Sequence, residues 1–333
     1  MMLNATPRSH LAAAALSLLL SACGGGGDGN QSSSGSSGSP AAPVSELQTL
    51  TLSGYPHAID IYRTAGATRA IVLLHGGGGN KSAIAYQLGL NASTETTTAS
   101  SINWAWLEAN RLMLVLPQGQ HLASEPNATT WSNDAMTSGQ DDKAFLLALA
   151  ARVRAEYGVS SVALMGHSMG GVMTNRIWCE SPASFDAYVS LAGPASTHFS
   201  DPATPCAPGS MAKPYLGIIG DADDVMQTAG RWDAASWTVN PTWVKASITA
   251  WVNDQVIAEL AQQQLRSAQM CGATLASADY SSSGQVDTWS SCGGRLLLLR
   301  VRGADHGVAS LDAGMGQATT MEVMKRAVAF IAN

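Results

Sequence analysis

Residues 166–171 (GHSMGG) place Ser168 between an apolar run typical of a strand and a segment typical of a helix. A serine in such a G-x-S-x-G turn is held on a sharp, strained corner with its hydroxyl raised above the end of the strand. The flanking glycines are needed because the turn crowds the backbone. The helix that follows aims its N-terminal N–H groups at an oxygen reacting at the serine. This pattern predicts a nucleophilic Ser168.

A second glycine-rich segment, residues 75–80 (HGGGGN), follows the apolar run AIVLL. Its glycines allow the backbone to approach a substrate closely and to present N–H groups to a developing oxyanion. We expect the oxyanion hole to consist of the backbone N–H groups of Met169 and Gly77. The segment has neither the G-K-[ST] ending nor the downstream acid of phosphate-binding loops, so we do not interpret it as a nucleotide site.

A nucleophilic serine requires a base, and His306 is the histidine that follows a late apolar run in a short loop. The acid of such a triad is expected between the serine and the histidine, directly after a strand. The apolar run 215–219 (YLGII) is followed by a turn that contains three acids. Asp223 is the first choice, and Asp221 and Asp224 are the alternatives. The acid would hold the imidazole in one tautomer and stabilise its protonated form.

Short apolar runs alternate with longer amphipathic segments from residue 45 onward. The predicted strands cover residues 47–52, 58–62, 70–74, 112–116, 162–165, 188–191, 215–219 and 296–301. The predicted helices cover residues 101–108, 142–156, 169–179, 243–264 and 316–331. Asp141 and Asp142 open one of these helices and are expected to cap it. Continuous apolar strands alternating with helices indicate an α/β fold with a mostly parallel sheet covered on both faces.

The composition describes one large globular domain of an acidic protein. The chain has 333 residues, of which 46% are hydrophobic, and 18 Lys and Arg face 24 Asp and Glu. Because it contains no basic block, we expect no nucleic-acid partner. No apolar run reaches about 18 residues, so the sequence predicts no ordinary transmembrane helix.

The first 44 residues are predicted to be an export signal and a tether. Residues 1–22 have a short apolar core that ends in LSAC, which resembles the bacterial lipoprotein signal whose cysteine is lipidated. Residues 23–44 are rich in Gly and Ser and are expected to form a flexible coil before the domain at 45–333. We therefore expect an exported protein, in the outer membrane, the periplasm or outside the cell, attached to a membrane only through Cys23. The alternative is an ordinary signal peptide cleaved near Ala22.

Four further cysteines lie in the domain, and an even number in an exported domain suggests disulfides. Proximity in the sequence favours the pairs Cys179–Cys206 and Cys271–Cys292. Each bridge would stabilise the fold by roughly 3 kcal/mol on the chain-entropy model.

Taken together, these motifs resemble the polyhydroxybutyrate depolymerase and feruloyl-esterase-like family of α/β-hydrolases. The resemblance is carried by the runs HGGGGN, LGLN, WLEANRLMLVLPQG, TTWSND, DDKAFL and GHSMGG, and it resumes at GDADDVM and GADHG. It implies secretion, a serine esterase without metal or cofactor, and the triad Ser168, Asp223 and His306. It also implies Gly77 and Met169 as oxyanion donors, and the late cysteine pair resembles a disulfide of that family.

The sequence departs from the family where the substrate would bind. Members often have Trp-Pro-Gly after the catalytic histidine, whereas Gly-Val-Ala follows His306 here. Four of the nine tryptophans fall within residues 231–252, so residues 231–265 are predicted to form a lid-like insertion, with a helix packed on the core as the alternative. Candidates for contact with substrate are His75, Gly76, Trp131, His167, Trp232 and Trp237.

The sequence therefore predicts a surface-anchored serine esterase that forms an acyl-enzyme. Candidate substrates are polyhydroxyalkanoate-type polyesters, feruloyl or acetyl esters of polysaccharide, and short acyl esters. The alternative is a ligand-binding lipoprotein that has the fold of a hydrolase but no catalysis.

Overall fold

The computed structural model describes residues 45–122, 125–133, 137–194, 199, 203, 206–225, 254–316 and 321–333. These residues contain a ten-stranded sheet in the order β1-β2-β4-β3-β7-β8-β9-β12-β11-β10 and a small two-stranded sheet, β5-β6. The strands are β1 Glu46–Leu50, β2 Ile59–Arg63, β3 Arg69–Leu74, β4 Leu112–Pro117, β5 Gln120–His121, β6 Thr129–Thr130, β7 Ser161–His167, β8 Ala187–Leu191, β9 Tyr215–Gly220, β10 Tyr280–Ser283, β11 Val286–Ser291 and β12 Leu296–Val301.

Helices cover both faces of the large sheet. They are α1 Lys81–Gln87, α2 Trp104–Ala109, α3 Asp142–Tyr157, α4 Met169–Glu180, α5 Asp254–Cys271, α6 Val308–Met315 and α7 Glu322–Ile331. The buried apolar residues of α1, α2, α6 and α7 belong to one core cluster, and those of α3 and α4 belong to another. The central strands are buried on both faces, which explains their continuous runs of Leu, Ile and Val.

The strands from β4 to β12 in the sheet order are parallel, and antiparallel strands lie at both edges. The carboxyl ends of parallel strands meet at one edge of a sheet. Strand β4 follows β3 in the chain and lies on one side of it, whereas the next strand of this sheet, β7, lies on its other side. The order of strands therefore reverses between β3 and β7. Ligands of open α/β sheets bind outside such a reversal.

Several local features follow directly from the sequence. Asn80 and Asn103 cap α1 and α2, accepting hydrogen bonds from the backbone N–H groups of Ala83 and Trp106. The capping prediction for α3 is right for Asp141, which accepts from the N–H of Ala144. It is wrong for Asp142, whose buried side chain contacts His57 instead.

Three predicted helices differ from the structure. Helix α2 begins three residues later than predicted because Asn103 is its cap. The predicted helix at 316–331 corresponds to α7, which begins at Glu322, and the separate helix α6 lies before the predicted range. The predicted helix at 243–264 corresponds to α5 from residue 254 onward and extends to Cys271, while residues 243–253 lie outside the described residues. Helices α1 and α6, the two-stranded sheet β5-β6 and the antiparallel strands β10 and β11 are absent from the prediction.

Both disulfides favoured by sequence proximity are present, Cys179–Cys206 and Cys271–Cys292. The first joins the end of α4 to the segment before β9, and the second joins the end of α5 to the turn between β11 and β12. Within the described part of the chain, no helix combines the length and apolar character needed to cross a bilayer.

Candidate active site

Ser168, His306 and Asp223 form one line of hydrogen bonds at the carboxyl edge of the sheet. His306 Nε2 lies 2.9 Å from Ser168 Oγ, and His306 Nδ1 lies 2.8 Å from Asp223 Oδ2. A carboxylate can only accept, so Nδ1 carries the proton and Nε2 accepts from the serine hydroxyl. The Asp223 side chain is fully buried, whereas the His306 side chain is 17% exposed. The arrangement suits proton transfer from Ser168 to a histidine that is oriented by a carboxylate.

The backbone of Ser168 is held in a conformation that non-glycine residues rarely adopt, with φ 54° and ψ −121°. It lies directly between β7 and α4. A side chain on Gly170 would come within 2.6 Å of the carbonyl oxygen of His75, and one on Gly166 would overlap Gly170. The turn is therefore packed so closely that its glycines are required, as the motif predicts.

The acid and the histidine stand on adjacent loops that are joined to each other. Asp221 Oδ1 accepts from the N–H of Gly303 at 2.7 Å, and the N–H of Ala222 donates to the carbonyl oxygen of Ala304 at 3.0 Å. These bonds continue the pairing of β9 with β12 beyond the ends of both strands. Of the three acids in the turn, Asp223 is the one hydrogen-bonded to His306.

The two predicted oxyanion donors lie side by side. A Cβ on Gly77 would lie 3.1 Å from Met169 Cγ, and a Cβ on Gly76 would lie 3.0 Å from Ser168 Cβ. The next two N–H groups of the loop are already used, because Gly78 donates to Thr129 and Gly79 to Gly76. Among the described residues, the N–H groups of Gly77 and Met169 have no acceptor. They are therefore available to an oxygen bound above Ser168.

The sequence signature of the alpha/beta hydrolase family matches residues 71–329. The chain belongs to the alpha/beta hydrolase family. The match includes the elbow serine and the loops that hold Asp223 and His306. Among curated proteins, none matches this α/β-hydrolase in sequence.

Solved structures resemble this α/β-hydrolase in fold. The acetyl xylan esterase from Aspergillus awamori is 14% identical, with a TM-score of 0.54 over 86% of this chain and 99% of that one. An esterase from Pyrobaculum calidifontis is 13% identical, with a TM-score of 0.48 over 87% of this chain and 85% of that one. The S-formylglutathione hydrolase from Staphylococcus aureus is 12% identical, with a TM-score of 0.46 over 87% of this chain and 100% of that one. The first likeness shows that the fold is shared.

Two residues predicted to contact substrate in this α/β-hydrolase instead lie beneath the site. Trp131 and His75 are fully buried, so no part of either side chain can touch a ligand. His75 Nδ1 donates to the carbonyl oxygen of Gly76 at 2.7 Å, and its Nε2 accepts from the N–H of Gly119 at 2.9 Å. Burial lowers the pKa of His75 to about 4, so its imidazole stays neutral and fixes the loop. For these two residues the prediction is wrong.

His167 also supports the site of the hydrolase from below. Its Nε2–H donates to the carbonyl oxygen of His306 at 2.8 Å, and its ring centroid lies 5.0 Å from that of His306. Burial lowers the pKa of His167 to about 4. A Cβ on Gly76 would lie 3.4 Å from His167 Nδ1, so this imidazole lies between the oxyanion loop and the histidine loop.

A buried pair behind the active site was not apparent from the sequence. His57 Nε2 lies 2.6 Å from Asp142 Oδ1, and both side chains are fully buried. The His57 ring stacks on Phe145, with centroids 3.7 Å apart, and on Trp131, with centroids 6.1 Å apart. The two residues are 85 positions apart in the sequence, and although Asp142 lies in the run DDKAFL, no pattern links it to His57.

The remaining predicted contacts of the hydrolase lie outside the described residues. Trp232 and Trp237 are these contacts, and the predicted lipidation site Cys23 and most of the predicted lid at 231–265 also lie outside the described residues. The described end of that range belongs to α5, whose Glu259 and Leu260 are buried, so this part is a core helix and not a lid. The described residues contain no group of three or more His, Cys, Asp or Glu side chains arranged to hold a metal ion.

Proposed function

We propose that this chain is a serine esterase that hydrolyses carboxylic esters through an acyl-enzyme. The observation that carries the proposal is the continuous hydrogen bonding from Ser168 through His306 to the buried Asp223. A buried carboxylate behind the imidazole stabilises the positive charge that develops when the histidine takes the serine proton. The family match supports hydrolysis, and the unpaired N–H groups of Gly77 and Met169 support attack at a carbonyl group.

In the first half of the reaction, His306 Nε2 takes the proton of Ser168 Oγ as this oxygen attacks the ester carbonyl carbon. The carbonyl oxygen becomes an oxyanion that accepts hydrogen bonds from Gly77 and Met169. Collapse of this intermediate expels the alcohol, which receives its proton from His306. The product of this half is an acyl ester on Ser168.

In the second half, His306 takes a proton from water, and the resulting hydroxide attacks the acyl carbon. A second oxyanion forms and accepts hydrogen bonds from the same N–H groups of Gly77 and Met169. Its collapse releases the carboxylic acid, and the proton on His306 returns to Ser168 Oγ. The enzyme is restored without any metal or organic cofactor.

The substrate class rests on the resemblance of the sequence to polyhydroxybutyrate depolymerases and feruloyl esterases. We propose a polyester of hydroxyalkanoates, a feruloyl or acetyl ester of polysaccharide, or a short acyl ester.

The test is hydrolysis of p-nitrophenyl acetate, butyrate and octanoate by the domain from residue 45 onward, beside its Ser168→Ala variant. We expect turnover by the parent and none above background by the variant. The preferred chain length then gives the size of the acyl pocket and selects which polymer to assay. Turnover unchanged in the variant would contradict the role of Ser168 as nucleophile. No turnover together with no labelling by a fluorophosphonate would contradict the proposal and favour the ligand-binding alternative.

We further propose that the protein is exported and anchored through lipid on Cys23. The proposal is supported by the LSAC sequence and by the Gly/Ser-rich residues 23–44. Incorporation of an alkyne-bearing fatty acid into the full chain, and its loss in Cys23→Ser, would support it. Equal incorporation by both would contradict it.

A further inference from the structure

Residues 129–133 (TTWSN), here called the bracing segment, hydrogen-bond to the loop that carries one oxyanion donor. The indole N–H of Trp131 donates to the carbonyl oxygen of His75 at 2.9 Å. The carbonyl oxygen of Thr129 accepts from the N–H of Gly78 at 2.7 Å. These two bonds hold the loop on either side of Gly77.

The same segment hydrogen-bonds to the helix that carries the other donor. The side-chain N–H of Asn133, a fully buried residue, donates to the carbonyl oxygen of Met169 at 3.1 Å. Arg176, two turns further along α4, donates to the carbonyl oxygen of Ser132 at 2.7 Å. One short stretch of chain therefore ties the loop after β3 to the start of α4.

The bracing segment is itself fixed by the buried carboxylate of Asp142. Asp142 Oδ2 accepts from the N–H of Ser132 and from the hydroxyl of Ser138, each at 2.6 Å. Asp142 Oδ1 contacts His57, whose ring stacks on Trp131. Trp131 and Ser132, the two residues before Asn133, are thus themselves held by buried side chains.

We propose that the bracing segment sets the spacing of the two oxyanion donors, with Trp131 and Asn133 as positioning residues. The inference rests on the proposed function. The two donors come from different elements, yet both must lie about 2.7–3.1 Å from one oxygen atom. Misplacement by about 1 Å can cost roughly 100-fold in rate even when it arises away from the reacting atoms. Trp131 acts on the carbonyl group of His75, two residues before Gly77, and Asn133 acts on the carbonyl group of Met169 itself. Both side chains are fully buried and do not touch the substrate.

The test compares Trp131→Phe with Trp178→Phe. Trp178 is a matched control, because it is also fully buried and its indole N–H also donates to a backbone carbonyl oxygen, that of Lys213, at 2.8 Å. We expect Trp131→Phe to lower kcat on the best p-nitrophenyl ester by about 10- to 100-fold. KM should stay within about twofold, and the control should keep the parental kcat.

A trifluoromethyl ketone with the preferred acyl chain gives a second readout, since its adduct with serine carries an oxyanion. Its inhibition constant should rise in Trp131→Phe by about the factor by which kcat falls. A general loosening of the fold would not produce that proportionality. Equal losses in both tryptophan variants, or a lower kcat with an unchanged inhibition constant, would overturn the proposal.

Asn133→Asp keeps the test decisive if Trp131→Phe does not fold. It replaces a donor by an acceptor facing the carbonyl oxygen of Met169, with almost no change in volume. We expect a fall in kcat with retained labelling of Ser168 by a fluorophosphonate. Parental kcat in this variant would overturn the inference while leaving the proposed function intact. A parent enzyme without esterase activity would instead overturn both.

Discussion

The imidazole of His167 donates a hydrogen bond from Nε2 to the main-chain carbonyl oxygen of His306, 2.8 Å away. The residue before the proposed nucleophile therefore holds the residue proposed as its base. This bond crosses from the end of β7 to the loop after β12, two strands that are not neighbours in the sheet. It gives the elbow and the histidine loop a direct connection in addition to the contact between Ser168 and His306.

We predict that His167→Leu lowers kcat by about fivefold or more, because one buried hydrogen bond contributes about 1 kcal/mol. His167→Gln, which can present an N–H at a similar position, should recover part of the loss. The measurement is kcat on a p-nitrophenyl ester at pH 8. Substitution of the exposed His121 by leucine is the control and should have no effect. Equal losses in the leucine and glutamine variants would argue against a role for the hydrogen bond.

Stability should fall as the pH is lowered from about 6.5 to about 4. Burial lowers the pKa of both His75 and His167 to about 4, so in this window the unfolded chain binds protons that the folded protein does not. Each histidine thus contributes stability at neutral pH that is lost as the pH falls, about 3 kcal/mol if the shift is realised in full.

Urea unfolding at a series of pH values measures this dependence. The free energy of unfolding of His167→Gln should vary less steeply with pH between 6.5 and 4 than that of the parent, by close to one bound proton. His75→Gln should behave in the same way. Identical slopes in the parent and both variants would show that the two imidazoles are not held neutral by burial.

Substitution of Asp223 should lower kcat far more than substitution of Asp221. Asp223→Asn should lower kcat by about 10³- to 10⁴-fold, because an amide at this position favours the wrong tautomer of His306. Asp221→Asn retains an acceptor for the N–H of Gly303 and should lose less than about tenfold in kcat. It should still lower the melting temperature, since its partner Arg300 lies at 3.7 Å and is fully buried. The reverse ranking of kcat would assign the triad acid to Asp221.

The fold and the residues that meet at the candidate site could be predicted because their signals are local. Strands buried on both faces require continuous apolar runs, and the turn at Ser168 requires glycines within two residues of it. The contact between Asp223 and His306 spans 83 residues, but the order of elements along the chain was enough to anticipate it.

Features that depend on contacts distant in sequence could not be predicted. The antiparallel strands β10 and β11 are rich in serine and other polar residues, and so lack the continuous apolar run that marks the central strands. Helix α6 contains Gly314, a poor helix former, which is required where the helix approaches the side chain of Val301. The burial of Trp131 could not be predicted either, because its contact with the ring of His57 joins residues far apart in the sequence.

The most direct test of the account is the site of covalent modification by a fluorophosphonate, located by peptide mass spectrometry. We expect a single adduct on Ser168 in the parent, with ester hydrolysis lost in proportion to labelling. We also expect no adduct in Ser168→Ala and slower labelling in Asp223→Asn. An adduct on another residue, or an unlabelled Ser168 in a protein that still hydrolyses esters, would contradict the central claim that Ser168 is the nucleophile.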